Sequence, residues 1–271
     1  MALEKLTLKE TQSEELRLLT EFDKLCRDHN LQYYLAYGTC LGAIRHKGFI
    51  PWDDDTDVYM PRPDYEKLAA LNPTGDDCKL MNRDDPLHCW GFGKFVSTKT
   101  YFEEPNCQSP KDYGVFIDIF PVDGMPENSA WARMRFRIIC KLLLLEFYTY
   151  YYTPKENSTL KKRSYLTIIS TCLRIIPRTT FRKMVRKLCT RYSFTNSQTL
   201  AVYEAGAEPN PPLLTHNHFK HPQYADFEGL KFPTVNNAES YLENLYGTSW
   251  HTPIKREYAE HGSAYWRSSS H

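Results

Sequence analysis

Phe49-Ile50-Pro51-Trp52-Asp53-Asp54-Asp55-Thr56-Asp57-Val58-Tyr59-Met60 is the stretch that decides how this chain folds. Four carboxylates stand within five residues. A buried structural segment would not collect them, because repulsion and desolvation both oppose it. A solvated acidic turn is the bland alternative. Two features count against it. Apolar residues bracket the run on both sides, and Asp53, Asp55 and Asp57 alternate. On an extended strand, residues i, i+2 and i+4 share a face. Three carboxylates on one face make a hard-oxygen site suited to Mg²⁺ or Mn²⁺. Asp54 points the other way and receives no role. An EF-hand is excluded, since no Gly takes the sixth loop position and no Glu the twelfth.

Outward from this run, Leu31–Tyr37 reads as a short aromatic strand broken by Gly38-Thr39. Cys40–His46 reads as a helical turn or two that Gly48 ends. Pro61 and Pro63 close the acidic segment, and Asp64–Leu71 follows as a helix. Residues 8–29 carry Leu16, Leu19, Phe22, Leu25 and Cys26 at helical spacing. Residues 91–103 and 114–120, rich in Phe, Val, Ile and Tyr, read as strands. Asp118 sits there alone among large apolar residues, which calls for either a bound cation or a hydrogen-bonded strand-end role. Residues 195–230 read as loop-rich. Asn237–Tyr246 reads as a helix capped by Gly247, and the tail after Gly262 as unstructured. The fold class is α+β around a small sheet.

Charge is unevenly spread. Residues 131–192 hold fifteen Lys and Arg against Glu146 and Glu156, so this helical window carries +13 and the rest −12 of a chain with net charge +1. Its apolar interleaving suits an anionic membrane surface, and the alternative is that it neutralises the acidic remainder within the molecule. No nucleic-acid motif accompanies it. The most apolar stretch, Ile138–Tyr152, is interrupted by Lys141 and Glu146 and falls short of the roughly 20 residues that span a bilayer. No basic start followed by an apolar run opens the chain, so a cytoplasmic protein, peripheral on the inner face of the membrane, is expected. The eight cysteines are scattered without a C-x-x-C pair and are expected as thiols. Cys78, Cys89 and Cys107 with His88 can be drawn as a zinc site, but the spacing is irregular.

The segment from Tyr37-Gly38-Thr39 through Leu41-Gly42, Arg45-His46-Lys47-Gly48-Phe49-Ile50-Pro51-Trp52 and Asp53-Asp54-Asp55-Thr56-Asp57 closely resembles the signature of the LicD family of phosphocholine transferases, relatives of the fukutin group. Phe116-Ile117-Asp118-Ile119-Phe120-Pro121 resembles that family's later aspartate strand. Phe227-Glu228-Gly229 and Tyr241 to Gly247 resemble its C-terminal signature. Thr248 departs from the family pattern, where Asp often follows Tyr-Gly.

The resemblance implies a nucleotidyltransferase-like, polymerase-β-type core over residues 1–130, with 131–192 as a basic helical insertion and 193–271 packing on the core. It implies that Asp55, Asp57 and Asp118 are catalytic and, with Asp53, hold the Mg²⁺ or Mn²⁺. Gly38, Thr39, Arg45 and Lys94 become phosphate-binding residues. The implied reaction moves phosphocholine from CDP-choline to a sugar hydroxyl of a teichoic acid or lipopolysaccharide precursor, in some cases polyprenyl-linked, and releases CMP. Alternatives are a CDP-polyol donor such as CDP-ribitol, nucleotide addition with release of pyrophosphate, or a non-catalytic glycan- or membrane-binding relative. A quaternary ammonium is held on aromatic faces. Trp52, Tyr59, Trp90, Tyr101, Tyr113, Tyr148, Tyr150, Tyr151 and Tyr152 are candidates for that role.

Overall fold

A computed structural model describes residues 4–83, 85, 88, 90–104, 109, 112–127, 129–150, 167–168, 171–205, 214–254 and 261–267. The first long element, α1 (Leu8–Asp28), starts at Thr7, whose hydroxyl accepts from the Glu10 N–H while Glu10 returns the bond to the Thr7 N–H. Leu18, Leu19, Phe22 and Cys26 then bury one side of the helix. Glu14 and Glu15 lie on that same buried side, one turn earlier.

The central layer is a mixed sheet. Its strands are β2 (Tyr34–Leu35), β3 (Asp57–Pro61), β4 (Cys78–Met81), β5 (Gly93–Ser97), β7 (Phe116–Gly124), β8 (Thr199–Ala201), β9 (Leu214–Thr215), β10 (Gln223–Phe227) and β11 (Leu230–Thr234). The main path runs β10-β11-β2-β3-β7-β5-β4, with β8 and β9 attached beside β7. β3 and β7 are parallel, and β5 is antiparallel to β7. Every residue of β7 is buried, as a strand covered on both faces must be, yet Asp118 and Asp123 interrupt its apolar run. α1 packs against β5 and β7, and α3 (Arg62–Leu71) against β3 and β7.

α2 (Tyr37–His46) leaves the end of β2 and packs on β3, on β10 and on α6 (Ala238–Tyr246). Farther along, α4 (Ser129–Tyr150) packs on α5 (Arg178–Cys189) around a second apolar cluster that includes Phe136, Ile139, Val185 and Tyr203. No described helix is long and apolar enough to cross a membrane.

Three expectations are corrected. The first strand is only Tyr34–Leu35, because its ladder with Val58 and Tyr59 ends there. The 195–230 region contains β8, β9 and β10: β8 pairs with distant β7 and with β9, and β10 forms a tight hairpin with β11 around Glu228-Gly229. The tail is not unstructured after Gly262. Ser263–Trp266 forms β12, which pairs with β6 (Thr100–Glu103) and β1 (Glu4–Lys5) in a small second sheet. Gly247 caps α6 as expected, at φ +81°.

Candidate active site

The register of three central strands sets the site. Asp57 on β3 stands opposite Asp118 on β7, and Asp118 stands opposite Lys94 on β5. The three side chains form one row across the sheet. The Lys94 Nζ donates to Asp118 Oδ1 at 2.5 Å. Lys94 is 2% exposed and its ammonium lies 3.3 Å from the Phe116 ring centre, with the rings of Trp90, Phe92 and Tyr113 between 5.3 and 5.7 Å away. The expected solvated alternative for Lys94 therefore does not hold. Trp90 and Tyr113, two of the aromatic candidates for a quaternary ammonium, enclose this lysine instead. Tyr59 is buried against Tyr37 and Tyr241. Tyr151, Tyr152 and the Tyr150 side chain lie outside the described residues, as do Cys89 and Cys107 of the zinc alternative. The six described cysteines are free thiols.

The acidic run approaches this row from the loop before β3. Residues 53–56 are not strand; a turn from the Ile50 carbonyl to the Asp53 N–H bends them. Even so, Asp53, Asp55 and Asp57 act on one another electrostatically. Burial, then Asp55 and Asp54, push Asp53 up to about 7. Burial, then Asp55, Asp118 and Asp53, hold Asp57 well above the usual carboxylate range. Burial also raises Asp118, to about 6, against the opposing pull of Lys94. Asp55 is raised by burial as well, with His261 drawing it back.

The first turn of α2 completes the floor. Thr39 Oγ1 accepts from the Asp57 N–H at 2.8 Å, which leaves the hydroxyl proton able to donate elsewhere. Gly38 is where Asp53 comes closest to the helix, since a Cβ there would stand 2.8 Å from Asp53 Oδ2. Tyr37, just before it, holds φ +42°, and its N–H donates to Tyr241 Oη at 3.0 Å. Arg45 is turned elsewhere. Its Nη1 donates to the Trp250 carbonyl at 2.7 Å and its Nε to His46 Nε2 at 2.9 Å. Among the described residues, Arg45 makes no ion pair with the aspartates.

Several residues of this site escaped the sequence reading. Glu15 of α1 is buried and accepts from Thr56 Oγ1 at 3.2 Å, and burial followed by Asp55 and Asp54 pushes it well up. Its position on the apolar side of α1, four residues before Leu19, was the available signal. His261 Nδ1 lies 2.6 Å from Asp54 Oδ1, and its Nε2 lies 3.6 Å from Asp55 Oδ2. The bond to Asp54 pushes His261 up to about 9. Asp54, expected to point the other way, instead shares His261 with Asp55, with ligand atoms of all three within 4.8 Å of one another. Glu228 accepts from the Phe49 N–H at 3.1 Å, and a Cβ on Gly48 would overlap its carboxylate, which ties the C-terminal signature to the first one. Tyr246, at the end of α6, is close enough to Asp57 and Asp53 to be raised by them, after burial.

Asp57, Asp118 and Glu15 are buried and Asp53 and Asp55 half-buried, and each carboxyl is pushed toward its neutral form. Carboxylate oxygens are the donors that Mg²⁺ or Mn²⁺ takes. Among the described residues, the ligand atoms that lie within 4.8 Å of one another belong to Asp54, Asp55 and His261; no three of Asp53, Asp55, Asp57 and Asp118 meet that distance, so holding one ion together would require these side chains to turn.

Residues 30–162 match the family described as LicD/FKTN/FKRP, nucleotidyltransferase domain. Residues 30–162 therefore carry a LicD-family domain. The lipopolysaccharide cholinephosphotransferase LicD of Haemophilus influenzae is 28% identical over 269 residues, covering 96% of this chain and 97% of that protein. Uncharacterized proteins of Rickettsia typhi and Rickettsia prowazekii match shorter stretches. The first is 40% identical over 121 residues, 45% of this chain and 38% of its own length; the second is 37% identical over 57 residues, 21% of each. The LicD domain begins at Asn30, just before β2, and contains β3, β5 and β7 with the whole Lys94–Asp118–Asp57 row.

Proposed function

We propose that this chain is a phosphotransferase with a nucleotidyltransferase-like core, moving phosphocholine from CDP-choline to a sugar hydroxyl of a lipopolysaccharide or teichoic acid precursor. The observation that carries the reading is the buried row of Asp57, Asp118 and Lys94, roofed by Asp53 and Asp55, in a chain aligned almost end to end with a cholinephosphotransferase. In the reaction the acceptor oxygen forms a bond to the choline-bearing phosphorus. The bond from that phosphorus to the bridging oxygen breaks, CMP leaves with the electron pair, and the hydroxyl proton passes to a base.

Asp53, Asp55, Asp57 and Asp118 would hold Mg²⁺ or Mn²⁺. Bound there, the ion would supply charge neutralisation for the diphosphate and the departing CMP. The chain's own residues supply the rest. Gly38 lets the start of α2 come close to the diphosphate, and the free proton of Thr39 can donate to a phosphate oxygen. Asp118, raised to about 6 by burial, is poised near neutrality to take the hydroxyl proton, and Lys94 fixes its orientation. Glu15 holds the Thr56 side chain, and with it the loop between Asp55 and Asp57.

Incubating the protein with a glycan acceptor, Mg²⁺ and either CDP-choline or CDP-ribitol, and following CMP and pyrophosphate release, tests this. CMP from CDP-choline alone is the expected result. CMP from CDP-ribitol alone, or pyrophosphate in place of CMP, would overturn the donor or the reaction.

A further inference from the structure

α4 has an outer face with an unusual composition. Its buried side is ordinary: Ala132, Phe136 and Ile139 meet α5, and Arg135 donates to the carbonyls of Leu188 and Cys189 at the C-terminal end of that helix. The outer side is also apolar. Trp131, Met134, Ile138, Leu144 and Leu145 are each between 37% and 47% exposed. Steps of three and four residues place Trp131, Met134, Ile138 and Leu145 on one stripe. The charged residues beside them are Arg133, Arg137 and Lys141, all exposed and in no ion pair among the described residues. The one acid of this helix, Glu146, turns inward to Arg83 and Arg182. So the outer face presents cations and large apolar groups with no anion.

Other basic residues of the window do find acids. Arg182 meets Glu146 within the window, a pair already netted out of the +13, and Arg186 meets Glu66 of the acidic remainder. Internal pairing therefore leaves the outer face of α4 unexplained. An apolar helix face in contact with water calls for a cover, and cations along its length call for an anionic one. A nucleic acid would match the cations but leave five large apolar side chains wet.

We propose that α4 lies flat on a bilayer leaflet containing anionic lipid, its apolar stripe at the acyl boundary and its Arg and Lys among the headgroups. Twenty-two residues make a contact about 33 Å long. The helix is not apolar enough to cross. Such placement brings a lipid-linked acceptor to the enzyme in two dimensions instead of three.

The experiment is flotation of the full chain with phosphatidylcholine vesicles, with and without phosphatidylglycerol, in the absence of any substrate. It therefore stands apart from the transfer reaction. Binding to the phosphatidylglycerol vesicles, weakened by salt, is expected. The pair Arg133→Gln and Arg137→Gln, and separately the pair Trp131→Ala and Ile138→Ser, should each weaken it by about tenfold or more. Lys9→Gln with Lys24→Gln, on α1, should leave it unchanged. All these side chains are exposed, and an unchanged Tm confirms that each variant folds. Absence of wild-type binding to the anionic vesicles, or wild-type binding by both α4 pairs, would overturn the proposal. So would a dimer that the α4 pairs abolish without any vesicle binding, which would give the face to a second copy of the chain.

Discussion

Burial and mutual repulsion set the aspartates in conflict, and single substitutions expose it. Replacing Asp55 or Asp57 with Asn removes a proposed ligand and a like charge together. Transfer should fall by about a thousandfold or more, while the metal-free variant melts at the wild-type temperature or above, because burial and neighbours already disfavour the charged forms. A variant that keeps full CMP release would end the catalytic assignment. Titration reports the same conflict. Asp53 and Asp118 are raised to about 7 and about 6, above their unfolded values. A raised carboxyl contributes stability below its unfolded pKa and loses it as pH rises through the folded value. Asp53 and Asp118 should therefore each draw the Tm of the metal-free protein down between about pH 4 and about pH 7, with Mg²⁺ or Mn²⁺ flattening the fall. His261, also raised, adds a loss at higher pH, and buried His88, lowered to about 3, works in the opposite sense below about pH 6.5. Asp53→Asn isolates the Asp53 part, since the difference between its curve and the wild type should develop between about pH 4 and about pH 7 and stay flat above that. At Gly38 the expectation is different. Ala adds a Cβ 2.8 Å from Asp53 Oδ2, so the carboxylate must move. Transfer should drop by about a hundredfold with little change in Tm, because the fault is one of placement.

At the scale of elements, β5, β7 and β3 do together what none could do alone. Lys94→Met would leave Asp118 buried without its cation, at a cost of about 3–5 kcal/mol in urea unfolding of the metal-free protein. Adding Asp118→Asn should recover most of that, and a double variant as unstable as the single one would show that the pair is not what Lys94 contributes. This row also marks where the sequence stops being legible. The hydrophobic spacing of α1 and the Gly247 cap were readable. The alternation of Asp53, Asp55 and Asp57 suggested one strand face, but the strand begins only at Asp57, because the turn from Ile50 to Asp53 and the loop after it hold the earlier aspartates off the ladder. What joins Asp57 to Asp118 is a strand register across sixty residues, and the apolar surroundings of Asp118 only raised the question that the register answers. β12 was missed for the same reason, since its partner strands lie at the far end of the chain. The burial of Lys94 was not legible because Trp90, Phe92, Tyr113 and Phe116 converge on it only through the fold. The bond from Arg45 to the Trp250 carbonyl was hidden in the same way, since the two lie two hundred residues apart.

Over the whole molecule, a seam of buried ion pairs joins the helical window to the sheet, and it does not follow the +13/−12 division, since its hub is the acid Glu146 of the basic window. Arg62, at the start of α3, grips Asp123 of β7 with two bonds of 2.8 and 2.6 Å and reaches Glu204 at 3.0 Å. Arg83 and Arg182 both meet Glu146 of α4, at 2.7 and 3.0 Å, and Arg182 also binds the carbonyls of Asp85 and His88. The seam runs from the central sheet to α5, and Glu146 is its hub. Glu146→Gln would keep the shape but leave two buried guanidiniums facing a neutral amide, at a cost of about 3–5 kcal/mol. The loss should fall unevenly. α4 and α5 meet the rest through these charges and through a small apolar cluster with Ala201 and Tyr203, whereas β3, β5 and β7 are held by backbone ladders and the larger, separate apolar core. Hydrogen exchange of the variant should therefore show amides of α4 and α5 opening well before those of β7, while CMP release persists at temperatures where the helices have begun to open. If all three elements lost protection together, the helical window and the catalytic sheet would be one cooperative unit, and the seam would be only one of many contacts between them.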